Sequence, residues 1–372
     1  MSKENLKKKK KLIFIGPLPP PIHGESIALE SLYKSNELHD LFNVRKIDTS
    51  KHTTDNAGVF TLSKTIMDMA NIFRAFMSSL LYRNSIIYLS ISQTKLGLFR
   101  DCIIIFLCKL FGNCKVITHL HGNNLANVID ETNGFLNKFI SYTLKKVDIG
   151  IVLGKKLSKN YKGLVQKVKV VSNGIPFNFI KTDEIHSKPN KDFFSILYLS
   201  NLMEEKGYID LIKATTELIN EGYNLQLNLA GSIFNKEDFN EVLQYIENKK
   251  VDKYITYCGI KKGDEKKDLF LGADVMVLPT KYKVEGQPMS IIEGMAAGLP
   301  IISTNKGIIA ELIAGCGYII QPSVKDLKEA IKKLYNDKNE QLKLGKSSRD
   351  IYEHYYTEEK YIDSLIKTFQ QI

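Results

Sequence analysis

Cysteines and long apolar runs are both scarce in this sequence. The five cysteines are scattered without any C-x-x-C pair: Cys102, Cys108, Cys114, Cys258 and Cys316. This excludes a zinc ribbon, a redox dithiol and a disulfide framework, and it favours a reducing compartment. No segment has the ~20 uninterrupted apolar residues of a membrane span. Leu12–Ile15 is too short for the core of a signal peptide, so we expect a cytoplasmic protein.

Several enzyme signatures are also missing. The chain has no Asp-x-Asp, no Gly-x-Gly-x-x-Gly after the first apolar segment, no Walker A lysine and no Gly-x-Ser-x-Gly. Their absence disfavours metal-dependent single-domain nucleotide-sugar enzymes, dinucleotide dehydrogenases, P-loop enzymes and α/β-hydrolases. His119 and His121 are the one close histidine pair, with no neighbouring carboxylate or cysteine to complete a metal site. We therefore expect no bound metal.

The charge is unevenly distributed over a chain long enough for two domains. Of the net charge of +11, residues 1–180 carry +14 and residues 181–372 carry −3. The first half is therefore expected to meet an anionic surface or an anionic acceptor. Nucleic acid would fit this charge, but no C2H2 spacing, RNP-like motif or convincing helix-turn-helix occurs, so we do not expect it as a partner.

Apolar strand-like segments alternate with helical patterns twice along the chain. Those of the first half are Leu12–Ile15, Ser85–Ile91, Lys115–His119, Asp148–Val152 and Val168–Val171. Those of the second half are Phe194–Leu199, Leu225–Leu229, Tyr254–Cys258, Val275–Leu278 and 301–303. This pattern predicts an α/β fold of two doubly wound, Rossmann-like domains that face a cleft.

Composition places the expected boundaries. Residues 1–178 are expected to form the first domain, and the polar residues 179–192 a linker. Residues 193–355 are expected to form the second domain, and residues 356–372 a C-terminal helix that returns to the first. Together, the C-terminal helices are expected to pack back across both domains.

Two glutamates with seven residues between them give the sharpest motif. Glu285 is expected on a loop and Glu293 within a helix that begins between them. Backbone N–H groups at such a helix start can bind an anion, and a carboxylate can accept hydrogen bonds from a vicinal diol. The alternative interpretation is a solvated glutamate pair on an ordinary helix.

With its surroundings, from Val275 to Ile302, this motif resembles the donor-binding signature of glycosyltransferase family 4, which has the GT-B fold. The segment Tyr198–Gly207 is similar to the family's glycine-arginine…lysine-glycine segment. However, Ser200 and Asn201 stand where glycine and arginine are usual, which removes one cation from the diphosphate site. The turn Val171–Ile175 resembles the family's asparagine-glycine-valine turn and is interpreted as structural.

The resemblance extends to the first half and implies the site residues. It also implies that the first domain lies on the acceptor side and that the second binds the nucleotide sugar. Gly24 matches the family's glycine-rich loop after the first strand, although His23 replaces one glycine. His121 matches the histidine near the reacting sugar; the alternative is a structural histidine, which is our interpretation of His119. The implied catalytic residues are His121, Lys206 and Glu285. The implied donor-binding residues are Gly24, Asn201, Lys206, Glu285, Gly286, Gln287, Pro288, Met289, Ser290 and Glu293.

The implied reaction is retaining transfer of a hexose or N-acetylhexosamine from a nucleotide diphosphate sugar, with UDP as the favoured nucleotide and no metal cofactor. The acceptor is a saccharide hydroxyl, lipid-linked and part of a bacterial-type surface polysaccharide such as O-antigen or capsule. The alternatives are another GT-B enzyme (a phosphorylase or a nucleotide-sugar epimerase) and a non-catalytic partner that binds nucleotide sugar or membrane.

Peripheral attachment to the inner face of the plasma membrane is a further expectation. Lysines of the first half could face anionic lipid: Lys7–Lys11, Lys145, Lys146, Lys155, Lys156, Lys159 and Lys162. Leu62–Leu81 adds an amphipathic helix with little charge. The alternative is a solvated tail beside an ordinary core helix.

Overall fold

The computed structural model describes residues 9–50, 62–186 and 191–372. Lys7 and Lys8 of the predicted basic segment lie outside these residues. The chain divides into two compact units. The first consists of Met1–Asn173 and Lys360–Ile372, and the second of Gly174–Glu359.

A parallel six-stranded sheet forms the centre of the first unit. Its strands are β1 (Lys10–Gly16), β2 (Phe42–Asp48), β3 (Ile86–Ser90), β4 (Lys115–Leu120), β5 (Ile149–Val152) and β6 (Val168–Val170). Their spatial order is β2-β1-β3-β4-β5-β6. The order reverses between β1 and β3, and in such sheets ligands bind beyond the carboxyl ends of the strands at the reversal.

Helices connect these parallel strands. They are α1 (Gly24–Lys34), α2 (Asn36–Leu41), α3 (Leu62–Leu81), α4 (Lys95–Gly112), α5 (Leu125–Asp130) and α6 (Gly134–Leu144), with a 3₁₀ helix over Lys155–Tyr161. The core on the α1 side includes Leu12, Phe14, Leu29 and Tyr88. Among the helices of the described residues, none is long and apolar enough to cross a membrane.

The second unit repeats the architecture. Its strands are β7 (Phe194–Leu199), β8 (Leu225–Ala230), β9 (Ile255–Gly259), β10 (Val275–Leu278), β11 (Ile301–Thr304) and β12 (Gly317–Ile320). The spatial order is β12-β11-β10-β7-β8-β9, with all pairs parallel. The order reverses between β7 and β10. The predicted fold class, two doubly wound parallel sheets with helices, is confirmed.

The helices of the second unit cover its sheet and include two long C-terminal ones. They are α7 (Thr182–His186), α8 (Tyr208–Asn220), α9 (Lys236–Asn248), α10 (Gly263–Leu271), α11 (Met289–Ala296), α12 (Ile309–Leu312), α13 (Val324–Asn336) and α14 (Lys338–Tyr355). Two 3₁₀ helices cover Phe177–Phe179 and Glu204–Lys206. The segment predicted to be a linker therefore contains α7, and Ile180 within it is buried in the second core.

The C-terminal helices are shared between the two cores. Leu327, Ile331 and Tyr352, from α13 and α14, lie in the core of the second unit. The last helix, α15 (Glu358–Gln370), instead buries Tyr361 and Phe369 in the core of the first unit.

Candidate active site

An ion pair joins the loops that follow the two central strands of the second sheet. Lys206, after β7, donates from Nζ to Oε2 of Glu285, after β10, over 2.7 Å. The hydroxyl of Thr280 donates to the same oxygen over 3.0 Å. The Lys206 ammonium also lies 4.8 Å from the centre of the Tyr282 ring. Both predicted residues therefore lie at the reversal of strand order, where this fold class binds ligands.

Glycine backbone geometry brings these two loops together. Gly207 has a φ of +81°, and a Cβ there would lie 2.3 Å from the carbonyl oxygen of Pro279. Only glycine fits such a conformation and such an approach without strain. Next to it, the N–H of Lys281 donates to the carbonyl of Glu205 over 2.6 Å. The loop after β7 is thereby held against the loop after β10.

The amino end of α11 follows Glu285 by four residues. Pro288 occupies the N-cap position of this helix, and its side chain makes no hydrogen bond to the helix amides. The first N–H groups of any helix lack intrahelical partners and carry partial positive charge, so the amides of Met289 and Ser290 can receive an anion. The preceding loop is fixed because Ile308 donates its N–H to the carbonyl of Gly286 over 3.1 Å. Gln287, also on this loop, is buried.

Glu293 lies one turn further along α11 and is 9% exposed. Nζ of Lys266, on α10, lies 2.5 Å from its Oε1. Burial raises the pKa of the Glu293 carboxyl, and the neighbouring ammonium opposes that rise. Glu285 is 6% exposed. Both glutamates are therefore buried and ion-paired, which rules out the interpretation of a solvated surface pair.

Asn201 stands where the donor-binding signature that this sequence resembles has arginine. Its Oδ1 accepts a hydrogen bond of 2.8 Å from the hydroxyl of Ser232, and its carbonyl accepts one of 3.0 Å from Tyr198. The loop after β7 is thus ordered by neutral hydrogen bonds at this point. Asn201 can bind a ligand oxygen through its amide but supplies no charge.

In the first unit, the loop after β1 leads into α1. Gly24 is the first residue of the helix, and His23 caps it. Nδ1 of His23 accepts the N–H of Ser26 over 3.2 Å, while the hydroxyl of Ser26 accepts the N–H of His23 over 3.0 Å. His23 is therefore a helix cap.

His119 and His121 pack against each other at the end of β4, with ring centres 4.0 Å apart and ring planes tilted by 36°. Nδ1 of His119 is hydrogen-bonded to the hydroxyl of Tyr88 over 2.7 Å. Within the described part of the chain, both ring nitrogens of His121 are buried without a hydrogen-bond partner. Burial lowers the pKa of both imidazoles, so both rings are neutral at pH 7. His121 can therefore offer one donor and one acceptor to a ligand.

Three residues that contact the predicted site residues were not predicted from the sequence: Thr280, Lys266 and Glu25. Thr280 is the second residue after β10, so its position at a strand end was a usable signal. Glu25, in the first turn of α1, accepts a hydrogen bond from Ser90 and opposes the lowering of the His121 pKa. Lys266 belongs to no motif, and its pairing with Glu293 depends on the tertiary fold.

Among the described residues, no group of three or more His, Cys, Asp or Glu could hold a metal ion.

The part of the chain that contains Lys206, Glu285 and Glu293 matches a known protein family. Residues 180–351 match the family model described as "Glycosyl transferases group 1". The matched segment makes up less than half of the chain. It contains the paired Lys206 and Glu285, the start of α11 and Glu293.

Curated relatives match longer parts of the chain. The capsular polysaccharide biosynthesis glycosyltransferase CapM of Staphylococcus aureus is 28% identical over 53% of each chain. The N-acetyl-alpha-D-glucosaminyl L-malate synthase of Bacillus anthracis is 23% identical over 66% of this chain and 65% of its own length. The chain thus spans about half to two thirds of the length of these relatives.

A solved structure matches nearly the whole chain. Alr3699/HepE of Anabaena, in complex with UDP, superposes with a TM-score of 0.75 at 16% identity, covering 97% of this chain and all of its own. At this identity the likeness shows the fold alone. Both parallel sheets therefore belong to a GT-B architecture, as the sequence predicted.

Proposed function

We propose that this protein transfers a hexose or an N-acetylhexosamine from a nucleotide diphosphate sugar to a saccharide hydroxyl. The observation that carries the proposal is the Lys206–Glu285 ion pair beside the start of α11. Its place in the segment that matches the group 1 glycosyltransferase model supports the proposal. At this site one cation, Lys206, and the first amides of α11 lie close to one buried carboxylate, that of Glu285. This combination suits a diphosphate joined to a polyhydroxylated sugar.

The donor diphosphate occupies the cationic side of this arrangement. Lys206 and the amides of Met289 and Ser290 stabilise the negative charge that develops on the leaving diphosphate, which is where electrostatic catalysis acts. Glu285 accepts hydrogen bonds from hydroxyls of the transferred sugar and orients its anomeric carbon. Glu293 accepts those of the nucleotide ribose. UDP is the nucleotide that we favour, because the similar HepE structures contain UDP and UDP-glucose.

The chemical step exchanges one bond to the anomeric carbon for another. The bond from this carbon to the diphosphate oxygen breaks, and the bond to the acceptor oxygen forms on the same face, so the configuration is retained. A phosphate oxygen of the leaving group takes the acceptor proton. His121, neutral and with both nitrogens free of hydrogen bonds to the described protein, positions the sugar or assists the acceptor hydroxyl.

The acceptor that we propose is a lipid-linked saccharide in the synthesis of a surface polysaccharide. The net charge of +14 over residues 1–180 supports an anionic acceptor such as a lipid diphosphate. The likeness to CapM, whose name refers to capsular polysaccharide biosynthesis, supports the pathway class.

The test is release of nucleoside diphosphate from a panel of UDP-, GDP- and dTDP-sugars, with the product's anomeric configuration read by NMR. Glu285→Ala should mainly lower kcat, and Glu293→Ala should mainly weaken the binding of donor and free nucleotide. Glu241→Ala, on the exposed side of α9, is the matched control. Full activity of a folded Glu285→Ala variant would overturn the assignment. Saturable binding without release of diphosphate would instead indicate a non-catalytic binding protein.

A further inference from the structure

Helix α3 buries small and polar side chains against the rest of the first unit. Six of its large apolar side chains are exposed to solvent. Asn71, Ala75, Ser78 and Ser79 are all buried. A Cβ on Gly112 of α4 would lie only 2.8 Å from Cβ of Ser79, so the two helices approach closely through small residues. This arrangement inverts the usual one, in which the apolar stripe of a helix faces the core.

The outward residues of α3 form a continuous apolar row. Ile66, Met69 and Phe73 are 60%, 65% and 63% exposed. The exposed row of α3 consists of Ile66, Met69, Phe73, Met77, Leu80 and Leu81. At ~100° and 1.5 Å per residue, it covers an arc of about 120° and a length of about 22 Å. Such a row would bury a large apolar area if a partner covered it.

Neighbouring helices of the same unit extend this row. Leu96, Phe99, Leu110 and Phe111 of α4 and Phe135 of α6 are exposed large apolar residues. Phe76 of α3 meets Phe111 with ring centres 5.5 Å apart, and Phe99 meets Phe139 of α6 at 5.8 Å. We call the outward side of α3, α4 and α6 the helical face.

The charges on the helical face are positive. These three helices contain two carboxylates, Asp68 and Asp101, and Arg100 holds both, at 3.0 and 2.7 Å. Arg74, beside the apolar row, is exposed. At the carboxyl end of α3, Lys11 and Arg45 lie 5.3 and 5.9 Å from the centre of the Tyr82 ring. Outside these helices, the exposed Glu131 pairs with Lys95 of α4 at 3.1 Å. Within the three helices, an anionic partner would therefore meet cations and only carboxylates that Arg100 already neutralises.

We propose that the helical face docks on an anionic lipid bilayer, with the apolar row of α3 entering the headgroup region. Apolar residues on one side with Arg and Lys at the edges are what an interfacial helix needs. A second copy of this chain would instead bring cations of like sign together. The inference goes beyond the transfer reaction, and its test measures lipid binding, so the two proposals can fail independently.

The experiment uses the full chain and vesicles of phosphatidylcholine, alone or with phosphatidylglycerol. Because the chain contains no tryptophan, Phe73→Trp supplies a single tryptophan on the helical face, which can be excited selectively over the tyrosines. Its emission should shift to the blue with anionic vesicles at low salt and not with neutral ones. Leu342→Trp, exposed on α14 of the second unit, is the matched control and should not shift.

Sedimentation with the same vesicles tests the named residues. The pair Met69→Gln and Phe73→Gln should raise the lipid concentration for half-binding at least about tenfold. Arg74→Gln should raise it roughly fivefold, and high salt should remove this difference. The control pair Ile260→Gln and Leu342→Gln, exposed in the second unit, should bind like the parent.

Three results would overturn the proposal. One is a parent protein that does not bind anionic vesicles, and another is undiminished binding by the Met69→Gln, Phe73→Gln pair. The third is that the parent forms a dimer and binds no lipid, and that the Met69→Gln, Phe73→Gln substitutions dissociate this dimer. The helical face would then be an interface between two copies of the chain. UDP affinity, measured on the same variants, should be unchanged in every case.

Discussion

Removal of the Lys266 ammonium would leave the Glu293 carboxylate buried without its partner. The side chains of Lys266 and Glu293 are 22% and 11% exposed. Removing one partner of a fully buried ion pair costs about 3–5 kcal/mol. Because both side chains keep some contact with solvent, we expect Lys266→Met to cost about 2 kcal/mol of unfolding free energy at pH 8.

This cost should decrease at lower pH. Burial raises the pKa of Glu293 in the folded protein, so the folded state binds more protons than the unfolded state. The unfavourable contribution of the charged carboxylate is therefore full above the folded pKa and absent below the unfolded pKa of about 4.3. Loss of the ammonium raises the folded pKa further, so Glu293 takes up its proton at a higher pH in the variant than in the parent.

Thermal melting followed by circular dichroism measures this effect at pH 8 and at pH 5.5. For a unit of this size, about 2 kcal/mol corresponds to a decrease in Tm of about 4–8 °C. Lys267→Met is the matched control, because its partner Glu184 is more exposed than Glu293. A Tm equal to that of the control at pH 8, or a deficit that grows at pH 5.5, would refute the reasoning.

Two further substitutions test the geometry around the site. Gly307 has a φ of +51°, and a Cβ there would lie 2.2 Å from the carbonyl oxygen of Gly286. Gly307→Ala should therefore lower the free energy of unfolding by at least about 2 kcal/mol and weaken UDP binding. Gly222→Ala, with a φ of +93° and no atom within 4 Å, is the control, and equal effects on UDP binding would contradict the argument. Tyr88→Phe removes the hydroxyl bonded to Nδ1 of His119 and should cost about 1–3 kcal/mol in thermal melting, whereas an unchanged Tm would show that the bond contributes nothing.

Strands buried on both faces were predictable, whereas two of the four edge strands, β2 and β12, were missed. β3 and β10 are continuous apolar runs because helices cover both faces of the sheet. β2 was missed, since Asn43, Arg45 and Lys46 interrupt its apolar pattern at the edge of the sheet. The sequence of β2 therefore has too few apolar residues in a regular pattern to be distinguished from a loop.

For α3, the sequence predicted the helix but not which side is buried. Periodicity identifies an apolar stripe, and the usual inference is that the stripe faces the core. Here Ser78 and Ser79 are buried and Phe73 is exposed. The reason is the close approach of α4, which only small residues permit.

The motifs identified both glutamates and Lys206, but not their partners. The spacing of Glu285 and Glu293 is local, so the sequence carries it. The pairing of Glu293 with Lys266 joins two helices across the fold, and no local pattern records it. The pair between Lys206 and Glu285 likewise depends on the adjacency of β7 and β10.

The central claim is that Lys206 and the start of α11 bind the diphosphate of a nucleotide sugar, and calorimetric titration with UDP tests it most directly. We expect saturable UDP binding by the parent protein and a loss of about 10- to 100-fold in affinity for Lys206→Gln, the usual contribution of a charged hydrogen bond. Lys213→Gln, at an exposed position of α8, should bind UDP like the parent. No binding of UDP by the parent, or equal affinities for a folded Lys206→Gln variant and the parent, would contradict the account.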